Sequence, residues 1–120
     1  MKKLTILIIF LIGGLLCGPN VIGAQDHLRS SGLETSDAAV VAAKCLFYGV
    51  EIITDGTNAA SIIVYDNASA ASGTEVFKGT VAGANNFGGV TFEHPVEMFN
   101  GIFVDVSGTG AAYIVYWKNK

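Results

Sequence analysis

The residues of this 120-residue chain able to do chemistry are few and far apart. His27 and His94 are the only imidazoles, and the thiols are Cys17 and Cys45. A zinc site draws three or four ligands from Cys, His and carboxylate at short spacings, and none of those spacings occurs here, so no metal site is expected. A Cys–His nucleophilic pair is no better supported. Cys45 opens the most apolar segment of the chain, where a thiol reads as a small core hydrophobe. Glu93 and Glu97 have the look of paired glycosidase carboxylates, but such a site also needs a substrate cleft, which a domain this small rarely holds; a solvated strand face is the expectation. No Gly-x-Gly-x-x-Gly opens a helix and there is no phosphate loop. No catalytic residue and no cofactor is therefore expected, and the chain does not read as an enzyme.

The remaining polar candidates are oxygen-rich loops, Asp55-Gly56-Thr57-Asn58 and Asp66-Asn67. Neither has the Asp-x-Asp/Asn-x-Asp/Asn-Gly spacing of an EF-hand calcium loop. Asp and Asn also bond their own backbone in Asx-turns, which accounts for both loops without a metal. Asn67-Ala68-Ser69 fits the glycosylation triplet and marks an exposed loop. The apolar candidates are Phe47, Phe103, Ile114 and Tyr116, which alternation puts on faces opposite the expected core; two such faces call for a second sheet or a partner. The candidate binding set is thus Phe47, Phe103, Ile114 and Tyr116 with Asp55, Asn58, Asp66 and Asn67.

The elements that position these residues read as strands. From Cys45 onward, apolar runs recur with turn residues between them, as in all-β sandwiches and barrels. Six runs stand out: 45–54, 61–66, 75–81, 90–92 extended through 94–99, 102–106 and 111–117. Before them, residues 25–44 read as an arm leading to a first edge strand. Asp37 could cap a short helix there, but a helix that short is marginal and Val40-Val41 suits a strand. One or two strands in this region bring the total to seven or eight.

Alternation puts Ile102, Val104 and Val106 on the core face. A four-residue hairpin loop over 107–110 would then set Tyr113, Val115 and Trp117 inward, with Phe103, Ile114 and Tyr116 together on the outside. Asn100-Gly101 is the strongest short hairpin signal, since a type I′ turn needs positive φ at both central positions. A strict two-residue turn would, however, oppose Glu97 to Val104 and set a carboxylate on the core face. A bulge near Pro95 or a rim position for Glu97 would resolve the conflict.

The N-terminus carries the most specific signal. Lys2 and Lys3 precede a 14-residue apolar run from Leu4 to Cys17, Gly18-Pro19-Asn20 breaks it, and Val21-Ile22-Gly23-Ala24 supplies small residues for cleavage. This predicts a signal helix over residues 1–24. The run is too short, and too interrupted by Gly13-Gly14, for the ~18–20 apolar residues of a membrane span. Leu16 before Cys17 argues against lipidation. Membrane contact is thus expected only through the signal segment before cleavage, with the product secreted, periplasmic or extracellular.

Removing residues 1–24 leaves 96 residues with one thiol, so no intramolecular disulfide can form. Folding at that size buries roughly 60–70% of the unfolded surface. The leader takes two of the seven basic residues and none of the ten acidic ones, which leaves a formal charge of −5. With Arg29 as the only arginine, nothing resembles a phosphate-binding face, and no nucleic-acid partner is expected. The expected organisation is signal peptide (1–24), arm and first edge strand (25–44) and body (45–120). The expected fold is a small antiparallel β-sandwich of jelly-roll or immunoglobulin-like type.

Phrases in the body carry a resemblance. Thr54-Asp55-Gly56-Thr57-Asn58, the stretch from Val64-Tyr65-Asp66-Asn67 to Ser72-Gly73-Thr74, then Asn100-Gly101-Ile102 and Ser107-Gly108-Thr109-Gly110-Ala111 occur in that order. In this respect the chain, over about residues 45–117, resembles small β-rich proteins associated with tailed bacteriophages and prophages. The resemblance implies a virion-associated or surface-decorating module with no catalytic residues to carry over. The signal segment is a departure, because virion proteins assembled in the cytoplasm need none. The function expected is therefore an exported, non-enzymatic structural or interaction module with a protein or surface partner or a second copy of itself. The alternative is a small lectin-like binder of glycan or cell-wall polymer.

Overall fold

The computed structural model describes residues 27–120, so the expected signal helix lies outside the described residues. The described chain is all-β. It runs β1 (Arg29–Ser30), β2 (Ala38–Val41), β3 (Cys45–Ile53), β4 (Ala60–Asp66), β5 (Thr74–Val81), β6 (Phe87–Met98), β7 (Ile102–Ser107) and β8 (Ala112–Asn119). Two four-stranded antiparallel sheets result, in the orders β1-β8-β3-β6 and β2-β7-β4-β5.

The core between the sheets follows from period-two alternation. Phe47, Val50 and Ile52 of β3 and Tyr113 and Val115 of β8 face Ile62 and Val64 of β4 and Ile102 and Val104 of β7, all essentially fully buried. Each such side chain contributes roughly 1.5–3 kcal/mol by leaving water. Trp117 and Val106 lie partly buried against this cluster, so the inward assignments of 102–106 and 113–117 are as expected.

Two expected turns are corrected. β7 and β8 flank residues 108–111 but lie in different sheets, and so do β6 and β7 on either side of Asn100-Gly101. Neither pair is a hairpin. Among the described strands only β4 and β5 are consecutive partners; every other link carries the chain from one sheet to the other. The Asn100-Gly101 turn is built for such a crossing. The Asp66 carboxylate accepts N–H bonds from Phe99 at 3.0 Å, Asn100 at 2.7 Å and Gly101 at 3.4 Å. Gly101 has φ +142°, and a Cβ there would lie 2.2 Å from the Val41 carbonyl oxygen. A close approach between backbones, and not a type I′ turn, is what requires glycine at this position.

The conflict over Glu97 disappears with the hairpin. Glu97 pairs across from Leu46, and its carboxylate sits at a rim between the ammonium groups of Lys44 at 2.8 Å and Lys120 at 2.5 Å. Both ammonium groups hold its pKa below the ordinary glutamate value.

Residues 25–44 contribute more than an arm. β1 adds to the β8 edge and β2 to the β7 edge, so one short segment supplies an edge strand to each sheet. Between them Glu34 bridges Tyr113 through a reciprocal backbone pair at 2.9 Å. The Tyr113 hydroxyl donates to the Ser36 carbonyl at 3.0 Å, and the Asp37 carboxylate accepts the Val106 N–H at 2.8 Å. Asp37 therefore ties β2 to β7 and caps no helix.

Candidate functional site

The fold distributes the eight candidate residues over five places. Phe47 is 0% exposed, with its ring 5.4 Å from that of Phe92; it is a core residue, which corrects its assignment to an outer face. A β-bulge in β3 is the cause: register shifts between Phe47 and Gly49, so Phe47 and Val50 point inward although an odd number of positions separates them. Simple alternation fails across such a bulge.

Phe103, Ile114 and Tyr116 point away from the core, as expected, but they are half-buried and do not form one patch. Phe103 is on β7 and therefore on the outer face of one sheet. Ile114 and Tyr116 are on β8, on the outer face of the other. The expected shared patch depended on a β7–β8 hairpin, and with β7 and β8 in separate layers the residues are separated by the whole thickness of the sandwich.

The oxygen-rich loops lie at opposite ends. Asp55 and Asn58 follow β3, whereas Asp66 and Asn67 end β4, and the chain reverses between them. Asp55 Oδ1 accepts the N–H groups of Thr57 at 2.9 Å and Asn58 at 2.7 Å, and Oδ2 accepts from Asn58 Nδ2 at 2.8 Å. These bonds, that from the Asn58 backbone foremost, depress the Asp55 pKa. Asn67 Oδ1 accepts from Ser69 and Ala70, and its Nδ2 donates to the Ser72 carbonyl at 3.0 Å. Both loops are Asx-type turns whose side chains are engaged with their own backbone. Among the described residues no group of three or more His, Cys, Asp or Glu side chains is placed to hold a metal ion.

Cys45 is buried at the start of β3, and burial, with the Asp66 carboxylate adding, pushes its thiol up to about 11. A thiol held protonated in a packed core is a poor nucleophile.

One concave site brings together residues that the sequence did not single out. A cleft of about 490 Å³ opens at the end where β3 finishes and β6 begins, lined by Glu51, Ile53, Thr54, Asp55, Asn86 and Phe87. Of these only Asp55 belonged to the candidate set. Phe87 stands opposite Ile53 in register and is 70% exposed. Glu51 accepts a hydrogen bond from the Tyr116 hydroxyl at 3.3 Å, and burial together with that carboxylate raises the Tyr116 pKa. The wall is held from behind by Thr54: its hydroxyl donates to the Asn85 carbonyl at 2.5 Å, and its N–H donates to the Asn86 carbonyl at 3.0 Å. The one local signal for this site is an aromatic between Asn85-Asn86 and Gly88-Gly89, a phrase that reads as loop until β3 pairs with it.

Comparison with protein-family models, with curated proteins and with solved structures gives no match.

Proposed function

We propose that this chain is an exported, non-enzymatic structural module of jelly-roll type that assembles with a second copy of itself. The strand orders 1-8-3-6 and 2-7-4-5, with crossings between sheets at all but one link, support the jelly-roll type within the observed sandwich. That architecture serves capsid and lectin domains alike, so the function has to be argued from a surface.

The observation that carries the reading is the outer face of the β2-β7-β4-β5 sheet. Tyr65 and Phe103 are cross-strand partners there, and Tyr65 is only 9% exposed although it points away from the core. Beside them runs the row Lys78, Ile63, Asp105 across β5, β4 and β7, an apolar centre with one cation and one anion on its flanks. A two-fold axis through such a row sets Lys78 of each copy against Asp105 of the other, so the face is complementary to itself.

Charge exchange tests the proposal. Lys78→Glu should dissociate the dimer in sedimentation or light scattering by opposing like charges, and adding Asp105→Lys should restore it. Phe103→Ser should also dissociate it, with stability lowered by about 1 kcal/mol, because the ring is half-buried against Tyr65 on an outer face and not in the core. A protein that is monomeric before any substitution at high micromolar concentration, or whose association ignores both charge variants, removes the proposal.

A further inference from the structure

We propose that the cleft between the end of β3 and the start of β6 binds a neutral hexose unit of a polysaccharide. It lies on the outer face of the β1-β8-β3-β6 sheet, away from the Lys78–Asp105 face, so either inference can fail without the other.

The volume of about 490 Å³ falls within the range of about 300–1,000 Å³ usual for small-ligand sites. Its contents favour a sugar over other small ligands. Phe87 offers a ring face largely open to solvent, with Ile53 beside it, and the C–H face of a pyranose stacks on such a surface. A pyranose also carries hydroxyls around its edge, which need acceptors and donors at fixed positions. Glu51 Oε2 takes the Tyr116 hydroxyl, which sets the carboxylate plane, and Oε1 accepts no hydrogen bond from the described residues. The Asn86 side-chain amide, donor and acceptor together, likewise has no partner among the described residues. Carboxylate and amide thus remain available on either side of an apolar platform.

The site is also pre-formed. Gly89 lies opposite Glu51, and a Cβ at Gly89 would come within 2.3 Å of the Val50 carbonyl oxygen; β3 and β6 approach closely because no side chain stands there. The Thr54 bonds anchor the turn that presents Asn86. Little ordering therefore remains for binding to impose.

Charge narrows the ligand. Two carboxylates, Glu51 and Asp55, line the cleft and, among the described residues, no cationic side chain does, so phosphate-bearing and uronate polymers are disfavoured. Asp55 contributes charge and loop geometry only, since the Asx turn engages both its oxygens.

The test is titration of the purified protein with neutral oligosaccharides of glucose, galactose, mannose and N-acetylglucosamine, followed by amide chemical shifts. At least one series should shift the amides of Glu51, Ile53, Asn86 and Phe87, with a Kd on the order of 1 mM for so open a site. Phe87→Ala and Glu51→Gln should each weaken binding about tenfold with the amide spectrum otherwise retained. Phe99→Ala, which removes a comparably exposed ring (65%) at the opposite end, should leave it unchanged. No shift at the cleft with any neutral series, tighter binding of oligogalacturonate, or binding indifferent to Phe87→Ala would each overturn the proposal.

Discussion

At the scale of single residues, the polar side chains with the most suggestive chemistry are engaged in holding the chain together. Asp66 satisfies three backbone N–H groups of a crossing, and Asp55 and Asn67 close their own loops. Cys45 is the clearest case. With its thiol pushed up to about 11 by burial and, secondarily, by Asp66, the protonated form dominates across the neutral range. Iodoacetamide at pH 8 should leave the native protein unmodified and label one thiol fully in denaturant, provided the leader carrying Cys17 has been removed; mass spectrometry reads both. Rapid labelling of the folded protein would show that the start of β3 opens. Cys45→Ser should cost on the order of 1–2 kcal/mol, since it places a hydroxyl in an apolar environment.

At the scale of elements, the strand ends are clamped by charges that join segments remote in sequence. Lys44 before β3, Glu97 in β6 and Lys120 after β8 meet at one rim, and the Lys44 ammonium also lies 5.0 Å from the centre of the Phe99 ring. The folded-state pKa of Glu97 is depressed, Lys120 being the first cause and Lys44 the second. The carboxylate therefore stabilises the folded state above its unfolded pKa, and that stabilisation disappears as pH falls through the lower folded value. Glu97→Gln should accordingly lower Tm at pH 7, and the gap between the two proteins should close on acidification below the ordinary glutamate range. A gap that is constant with pH would mean that the loss is one of packing and not of charge. High salt should narrow the gap as well, because the rim is exposed.

At the scale of the whole molecule, antiparallel pairing fixes where the chain enters. Arg29 is the partner of Trp117, so β1 starts beside the finish of β8, at the end of the sandwich that carries Lys120. No described strand uses a residue before Arg29. With export as proposed, the product should begin near Gln25 by intact mass. Recovery of a membrane-bound product still carrying residues 1–24 would overturn the localisation.

Strand content was legible in the sequence because alternation and turn residues are local: each run from Cys45 to Trp117 became a strand to within a few residues, and the inward faces of Ile102–Val104 and Tyr113–Val115 followed from period two alone. Which strands are neighbours is not a local property. The same glycine-containing turn can close a hairpin or pass the chain to the facing sheet, and the choice rests on remote groups, the Val41 carbonyl and the Asp66 carboxylate in the case of Gly101. Three features therefore belonged to tertiary structure alone. Phe47 was drawn into the core by a bulge, Phe103 was separated from Ile114 and Tyr116 by the thickness of the sandwich, and Phe87 met Glu51 across a β3–β6 pairing that spans some 35 positions of sequence. Side-chain periodicity is written into adjacent residues, whereas a cleft is made where distant backbones pair, and only the folded chain brings those together.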